Sequence, residues 1–464
     1  MVFARVQRLL GRRVPTVVLA ALMATGAAVS AGQTAAAAPP VPGTVQSWGA
    51  NTWGQLGDGT TTGHSNPVQV CGINQTLPCA PLPHDVVSVS AGGAHSLALR
   101  RDGTVLAWGL NDLGQLGDGT SGVFNSRSTP VRVCAVGQTA PCTRFLTDVV
   151  AVAAGGSHSL ALRRDGTVVA WGFNGLGQLG NATAVNQATP VPVCAVGQSL
   201  PCTRELTNVH AISAGNFDSL ALRRDGTVVA WGQNNNGELG DGTAINRATP
   251  VRVCAVGQSA PCTRFLAGVT SLDAGDDHNL ALMENGTVTS WGVNPQGELG
   301  DGTTTNRNTP VRVCAVGRTA PCGRLLGGVH AVSAGGSHSL ALGERGTVTS
   351  WGANDSGQLG DGTTTDRSAP VRVCAIGQAA PCTRLLADVQ AVSAGQNHSL
   401  ALRGWSGVDA WGGNGDGQLG DATAIDRTTP VRVCAIGQTA PCARLLSHVH
   451  AVSAGGFYNL AVVR

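Results

Sequence analysis

One dipeptide, Trp-Gly, recurs at a nearly fixed interval and constrains the fold more than any other feature of this sequence. Successive copies lie 60 residues apart, with a single interval of 63. The tryptophans of the seven copies are Trp48, Trp108, Trp171, Trp231, Trp291, Trp351 and Trp411. Such a period is typical of repeat architectures, in which each unit buries its apolar side chains against the next copy. The seven units cover residues 43–464.

Each unit contains four short segments with the pattern of β-strands. Representative copies are AVSAG (331–335), HSLAL (338–342), TVVAWG (167–172) and PVRVC (250–254). Asp-Gly or Asn-Gly joins the second segment to the third in several units, which favours a two-residue hairpin because both turn positions need positive φ. One four-stranded sheet cannot cover both of its faces, whereas copies stacked around an axis cover each other.

The two ends of the repeat region complement each other. GTVQSWG (43–49) matches the third strand of a unit, and AVSAGGFYNLAVV (451–463) matches the first two strands. A blade assembled from both ends would close the ring. The sequence therefore predicts an all-β, seven-bladed β-propeller with four strands per blade, closed by a blade shared between the N- and C-termini.

The first 38 residues have the composition of an export signal. Four arginines precede an apolar stretch (14–31), and small residues between Ala31 and Ala38 offer cleavage sites. The alternative is a transmembrane anchor, which the polar residues and proline within the stretch disfavour. We expect a secretion signal over 1–38, a propeller over 39–464, a secreted or cell-surface location, and no membrane span after signal removal.

Composition limits the class of protein and of partner. The chain is 42% hydrophobic and only 12% charged, which argues against disorder. All 30 basic residues are arginine; without residues 1–38, 26 arginines face 27 carboxylates. The resulting net charge of −1 gives no bulk attraction to DNA or RNA. We therefore expect no nucleic-acid partner.

The cysteines form one C-x7-C pair in every unit, and none is left over. The pairs are Cys71/Cys79, Cys134/Cys142, Cys194/Cys202, Cys254/Cys262, Cys314/Cys322, Cys374/Cys382 and Cys434/Cys442. Together with the export signal they predict seven disulfides, each closing a small hairpin after the fourth strand. Metal binding and redox catalysis are weaker alternatives, because two thiolates make a poor metal site and the spacing is not C-x-x-C.

The repeat resembles the regulator of chromosome condensation repeat family. The resemblance rests on AGGSHSLALRRDGTVVAWG (154–172) and NDLGQLGDGT (111–120), and it covers the whole chain after the signal. It implies a seven-bladed propeller, although the C-x7-C hairpin departs from the family's core motif. Nuclear members are guanine-nucleotide exchange factors that dock on nucleosomes, but no exchange-loop residue can be mapped here. The unit is also similar, with longer blades, to secreted propeller-type β-lactamase inhibitors.

No residue pattern indicates catalysis. The histidine of AGGxHS, as in His158, recurs in most units and is interpreted as a structural hydrogen-bonding group. The aspartate of LGDGT is interpreted as a turn former. Asp273, Asp276 and Asp277 form an acidic cluster in one unit, either a cation site or, the preferred interpretation, a solvated loop. We expect no enzyme activity, no metal and no cofactor.

Function in a ring of copies is expected where the copies differ. The loop after Trp-Gly is apolar in the first three units, and large aromatic residues stand at two further points. The predicted partner-binding residues are Trp53, Leu110, Leu113, Phe124, Phe173, Leu176 and Trp405. An exposed cluster of such side chains indicates a partner surface. The alternative is that they fold inward against neighbouring loops.

A second asymmetry is an arginine pair, such as Arg252/Arg264, at the fourth strand and Cys hairpin of most units. It is interpreted as a solvated, locally ion-paired face; the alternative is a site for an acidic partner or cell-wall polymer. The sequence as a whole predicts a monomeric, secreted, non-catalytic scaffold for a macromolecular partner, expected to be a protein. Alternatives are an inhibitor of a secreted or cell-wall enzyme, a guanine-nucleotide exchange factor-like regulator, and a polysaccharide hydrolase or lyase.

Overall fold

The computed structural model describes residues 42–464 except 123 and 404–406. The predicted secretion signal (1–38) and Trp405 lie outside the described residues. Within them the chain forms seven four-stranded antiparallel sheets and one 3-10 turn, Glu344–Gly346. No helix in this part of the chain is long and apolar enough to cross a membrane. The prediction of an all-β, seven-bladed propeller is confirmed.

The blades are numbered in chain order from the N-terminus. Blade 1 contains β1, β2, β27 and β28, and blades 2 to 7 take the remaining strands in consecutive groups of four. The strands are β1 (Thr44–Gly49), β2 (His64–Gln69), β3 (Val86–Ala91), β4 (His95–Arg100), β5 (Val105–Gly109), β6 (Arg127–Arg132), β7 (Val149–Ala154), β8 (His158–Arg163), β9 (Val168–Gly172), β10 (Gln187–Pro192), β11 (Val209–Ala214), β12 (Asp218–Arg223), β13 (Val228–Gly232), β14 (Arg247–Arg252), β15 (Val269–Ala274), β16 (His278–Met283), β17 (Val288–Gly292), β18 (Arg307–Arg312), β19 (Val329–Ala334), β20 (His338–Gly343), β21 (Val348–Gly352), β22 (Arg367–Arg372), β23 (Ala391–Ala394), β24 (His398–Leu402), β25 (Val408–Gly412), β26 (Arg427–Arg432), β27 (Val449–Ala454) and β28 (Tyr458–Val463).

Within each blade we call the strands A to D from the ring axis outward. The A strands of neighbouring blades contact one another around the axis, and the D strands form the outer edge. The A–B loop and the C–D loop, which follows Trp-Gly, start at one end of the ring; the B–C turn lies at the other. This arrangement determines which loops are neighbours.

The core lies between blades. In one cluster Leu160 and Val168 of blade 3 pack with Ile212 and Trp231 of blade 4. All seven repeat tryptophans are fully buried, and each indole Nε1–H donates to a backbone carbonyl of the preceding blade. The Trp231 bond to the carbonyl oxygen of Gln178 is 2.8 Å long. One side chain thus supplies both apolar contact and a directed bond across each interface.

Blade 1 joins the two ends of the described chain. Strand β1 pairs with β28 over six residues, from Thr44 opposite Val463 to Gly49 opposite Tyr458. The outer strand β2 completes one side of this sheet and the inner strand β27 the other. The prediction of a shared closing blade is confirmed.

The fourth strand begins earlier than predicted. PVRVC (250–254) suggested a start at Pro250, whereas β14 spans Arg247–Arg252. A register shift between Ala230 and Gly232 lets Gly232 pair with Arg247, so Arg247, Ala248 and Thr249 join the sheet before the proline. Their lack of apolar alternation hid them from sequence analysis.

All seven predicted disulfides are present. The paired Cα atoms lie 5.3 to 5.8 Å apart, and no free cysteine remains in the described part of the chain. Each bond joins the two cysteines of one C-x7-C pair, and the interpretation as disulfides rather than metal ligands is confirmed. The bonds are Cys71–Cys79, Cys134–Cys142, Cys194–Cys202, Cys254–Cys262, Cys314–Cys322, Cys374–Cys382 and Cys434–Cys442.

The two cysteines of a pair differ in their surroundings, although sequence analysis treated all fourteen alike. The first of each pair is buried, and its N–H donates to a glycine carbonyl oxygen of the C–D loop, as Cys254 does to Gly240 at 2.9 Å. The second follows a proline on the outer arm of the hairpin and is only half-buried. These outer cysteines are Cys79, Cys142, Cys202, Cys262, Cys322, Cys382 and Cys442. Each disulfide therefore links the outer arm of the hairpin to the buried cysteine that follows strand D.

Candidate functional site

The histidines of AGGxHS form a hydrogen-bonded ring around the molecule. His158 Nε2 lies 2.8 Å from Ser219 Oγ of the next blade. The serine hydroxyl itself donates to the Gln178 carbonyl oxygen, so Nε2 must carry the proton that it shares with Ser219. Five such bonds start from His95, His158, His278, His338 and His398.

In the two units that lack this histidine, Asp218 and Tyr458 make the corresponding hydrogen bond between blades. Asp218 accepts a bond from Asn279 at 3.2 Å, and Ser96 donates to the Tyr458 hydroxyl at 3.0 Å. Burial lowers the pKa of the ring histidines, to about 3 for His158 and to about 4 for His398. Neutral, buried groups with fixed partners have a structural role, as the sequence indicated.

The LGDGT aspartates also serve the scaffold. Asp241 accepts bonds from Thr243 N and Oγ1 and pairs with Arg247 at 2.8 Å. Asn234, the asparagine that follows Trp-Gly, donates to Asp241 Oδ1 at 3.1 Å. The motif therefore fixes the course of the C–D loop, and the interpretation as a turn former agrees with the structure.

The acidic cluster is not the solvated loop that was preferred from the sequence. Asp273, Asp276 and Asp277 are all buried. Asp273 accepts bonds from Ser213 Oγ and from Ala334 N, and burial raises its pKa well above the usual range. Among the described residues no group of three His, Cys, Asp or Glu side chains has the arrangement of a metal site. Hydrogen bonds across blade interfaces account for Asp273 instead.

The A–B and C–D loops of each blade lie side by side. In every blade the residue after Trp-Gly donates its N–H to the carbonyl oxygen of the residue that precedes the AGGxHS histidine or its replacement. Leu110 N–H bonds the Ala94 carbonyl oxygen at 2.9 Å, and Phe173 N–H bonds that of Ser157 at 2.9 Å. Side chains from both loops therefore belong to one end of the ring, which we call the loop face.

The predicted partner-binding residues differ in exposure. Trp53 is 39% exposed and Phe124 is 96% exposed, whereas Leu110 is only 6% exposed. Leu113, Phe173 and Leu176 are half-buried. The loops that carry Trp53, Leu113 and Phe173 belong to three adjacent blades. The buried Leu110 thus lies beneath the loop face, while Trp53 and Phe124 are exposed on it.

Two further aromatic residues of the same face were not predicted from the sequence. Phe217 packs edge-on against Phe173, with ring centroids 5.8 Å apart, and the half-buried Phe457 lies in the A–B loop next to Ala50. Both stand at the variable position before the ring residue, so comparison of that position between units would have found them.

Exposed aliphatic side chains extend the apolar character to further blades. Val185, Ile245 and Ile425 are exposed in the C–D loops of blades 3, 4 and 7. Threonines occupy the same position in blades 1, 5 and 6, as Thr62, Thr305 and Thr365. The exposed or half-buried large apolar side chains of the loop face therefore run from blade 7 through blade 1 to blade 4, and among the described residues none is exposed on this face in blades 5 and 6.

A family model described as RCC1-like domain matches residues 47–461. The chain belongs to this family. The predicted resemblance to the regulator of chromosome condensation repeat family is thereby confirmed, and the match extends over all seven blades.

Both sequence relatives and solved structures match this chain over most of its length. The ultraviolet-B receptor UVR8 of Arabidopsis thaliana is 29% identical over 389 residues, which cover 83% of this chain and 76% of the receptor. Yeast Prp20p, solved in a study of its binding to Gsp1p and histones, superposes with a TM-score of 0.66 at 22% identity over 91% of this chain and 92% of its own. Yeast RCC1 (Prp20) bound to Kap60 gives 0.67 at 21% identity, covering 95% and 96%. At these identities the solved structures support the fold alone.

Proposed function

We propose that this protein is a secreted, non-catalytic scaffold that binds a protein partner on its loop face. The observation that carries the proposal is the restriction of large apolar side chains to the loops of blades 7 and 1 to 4. Structural need does not explain the restriction, because blades 5 and 6 keep the same strands although their C–D loops carry mostly small or polar residues at these positions, and Val293 is buried.

The chemistry of the face suits a protein better than a small ligand. Aromatic side chains dominate the free energy of protein interfaces, and Trp53 and Phe124 already lie in water. The Phe173–Phe217 pair gives the patch a preorganised centre, since the two rings hold each other in place. Structures of yeast Prp20 describe binding of Gsp1p, histones and Kap60, which supports protein binding as a use of this fold.

The proposal is tested by affinity capture with matched variants. The oxidised protein, residues 39–464, is immobilised and exposed to secreted and cell-surface extracts of the producing organism. Trp53→Asp should weaken retention of the partner at least ten-fold, because an interface aromatic contributes about 2 kcal/mol or more. Gln296→Asp places the same charge at the equivalent position of polar blade 5 and should retain the partner.

Equal retention by both variants would contradict the loop face as the binding site. If the captured partner is an enzyme, its activity is titrated with the wild-type protein and, separately, with Trp53→Asp. Inhibition by the wild-type protein alone would establish the narrower role of an inhibitor. Exchange-factor activity remains a prediction of the family resemblance, which nucleotide release from a small GTPase would test.

A further inference from the structure

The outer rim of the ring carries a strongly basic belt. It consists of the seven segments that run from the end of strand D through the Cys hairpin. These segments contain a single acidic residue, Glu205, and the arginines Arg132, Arg144, Arg204, Arg252, Arg264, Arg312, Arg318, Arg324, Arg372, Arg384, Arg432 and Arg444. We call this set the arginine belt. All twelve of its side chains are exposed.

The belt differs from the locally ion-paired face that the sequence suggested. In the described part of the chain, the arginine ion pairs lie elsewhere: at the start of strand D, as between Arg247 and Asp241 at 2.8 Å, or beside strand B, as between Arg163 and Glu205 at 2.9 Å. Even the one acidic residue of the belt is therefore paired with an arginine outside it. Within the described residues, the belt guanidinium groups face solvent without a direct ion pair to a carboxylate.

Two blades show how the belt holds its guanidinium groups in place. Arg132 lies over the Phe145 ring and Arg252 over the Phe265 ring, each with its Cζ 5.2 Å from the ring centroid. A cation over an aromatic face is held by the ring quadrupole while its N–H groups stay available at the edge. Arg252 and Phe265 also line a groove of about 710 Å³, whose other wall is Val196 and Gly197 of the preceding hairpin.

The belt is continuous from blade to blade. The hairpin of one blade reaches strand D of the next: Asn74 N–H donates to the Pro130 carbonyl oxygen at 2.9 Å, and Gly317 N–H donates to that of Pro370 at 3.0 Å. Blade 1, with Gln69 and Pro81 at the two arginine positions, interrupts the series. Blade 3 has Pro192 in place of the strand D arginine and keeps only Arg204. Blades 2 to 7 therefore form an arc in which every blade except blade 3 carries at least two belt arginines.

We propose that the arginine belt binds an anionic glycopolymer of the cell envelope, one that carries a phosphate or a carboxylate on each repeat unit. Charges repeated along an arc match charges repeated along a flexible chain, and the guanidinium fork binds either oxyanion through two hydrogen bonds. Single-stranded nucleic acid would need free aromatic faces for its bases, whereas Phe145 and Phe265 are covered by guanidinium groups. Bound by its rim, the ring would leave the loop face accessible.

Binding of poly(glycerol phosphate) and of polygalacturonate to oxidised residues 39–464 tests this site without knowledge of the protein partner. The variant Arg252→Gln/Arg312→Gln/Arg372→Gln removes one belt arginine from each of three adjacent blades. Its control, Arg101→Gln/Arg164→Gln/Arg224→Gln, removes the same charge from the exposed B–C turns of blades 2, 3 and 4. We expect the belt variant to bind at least ten-fold more weakly and the control less than two-fold, with affinity falling as salt rises.

The two polymers distinguish the source of the anion. Tighter binding of poly(glycerol phosphate) supports a phosphate polymer, and tighter binding of polygalacturonate supports a polyuronate. Equal weakening in both variants would overturn the belt as the site, because net charge alone would then explain binding. Tighter binding of duplex DNA than of either glycopolymer would overturn the assignment of the partner class. Circular dichroism of both variants verifies that the ring is folded.

Discussion

At the scale of single residues, the histidine ring couples the stability of the fold to pH. The ring histidines are neutral and fully buried, with their pKa lowered to about 3 in His95, His158, His278 and His338 and about 4 in His398. In an unfolded chain a histidine has a pKa of about 6.5. The stabilisation is therefore complete above about pH 6.5 and is lost as pH falls toward the folded pKa, because the unfolded chain takes up protons that the folded ring excludes.

Replacing one ring histidine should measure this coupling. At pH 5 each histidine lowers the free energy of unfolding by about 2 kcal/mol relative to pH 7. His338→Gln keeps an N–H donor toward Ser399, so urea unfolding of this variant should show a drop between pH 7 and 5 that is smaller by about that amount. His330→Gln changes an exposed histidine on the neighbouring strand and should keep the full drop. Identical pH profiles for the two variants would refute the argument.

At the scale of elements, the Cys hairpin is the part of the repeat that secondary structure does not stabilise. Outside the disulfide, few backbone bonds hold it, among them Cys254 N to Gly240 O and Ala255 N to Arg264 O. Closing a loop of this length contributes about 2.5 kcal/mol in the chain-entropy view. Cys254→Ser/Cys262→Ser should lower the free energy of unfolding by about that amount in urea titrations and speed amide exchange over residues 255–265. An unchanged midpoint would mean that packing alone holds the hairpin.

The strands and turns could be predicted because their signals are local and repeated seven times. Asp-Gly marks the place of the B–C turn, but the prediction of a two-residue hairpin with positive φ at both positions is wrong. Only Gly226 has a positive φ, of 75°, and Arg223 bonds both Gly226 N and the Thr227 carbonyl oxygen, so the loop has three residues. The start of strand D could not be predicted, because it depends on the pairing of Arg247 with Gly232 of the preceding strand. The contact of Phe217 with Phe173 could not be predicted either, because the two rings belong to neighbouring blades, although a comparison between units would have found Phe217 itself. Burial of Asp273 was hidden for the same reason, since its partners Ser213 and Ala334 belong to the two neighbouring blades.

At the scale of the whole molecule, stability depends on closure as well as on each blade. Every interface buries one blade's tryptophan against the preceding blade, so an opened ring exposes two unlike surfaces at once. At the closing blade these surfaces are held by β1 and β28, whose pairing places Thr44 opposite Val463. The ends are therefore close enough for a two-residue hairpin turn to join them.

A circular permutant separates ring closure from the position of the chain ends. Linking Arg464 to Gly43 through Asn-Gly and opening the chain at the Asp225-Gly226 turn keeps all seven blades and only changes which blade is shared. The permutant should unfold in one cooperative transition with a free energy of unfolding within about 2 kcal/mol of the wild-type value, since a surface turn contributes little buried area.

Deleting 448–464 removes β27 and β28 and uncovers Trp48 and the inner strand of blade 2. This truncation should abolish the cooperative transition in calorimetry. A cooperative transition in the truncated chain would show instead that six complete blades are enough for a cooperative fold. The pairing of β1 with β28 would then stabilise the fold without being required for it.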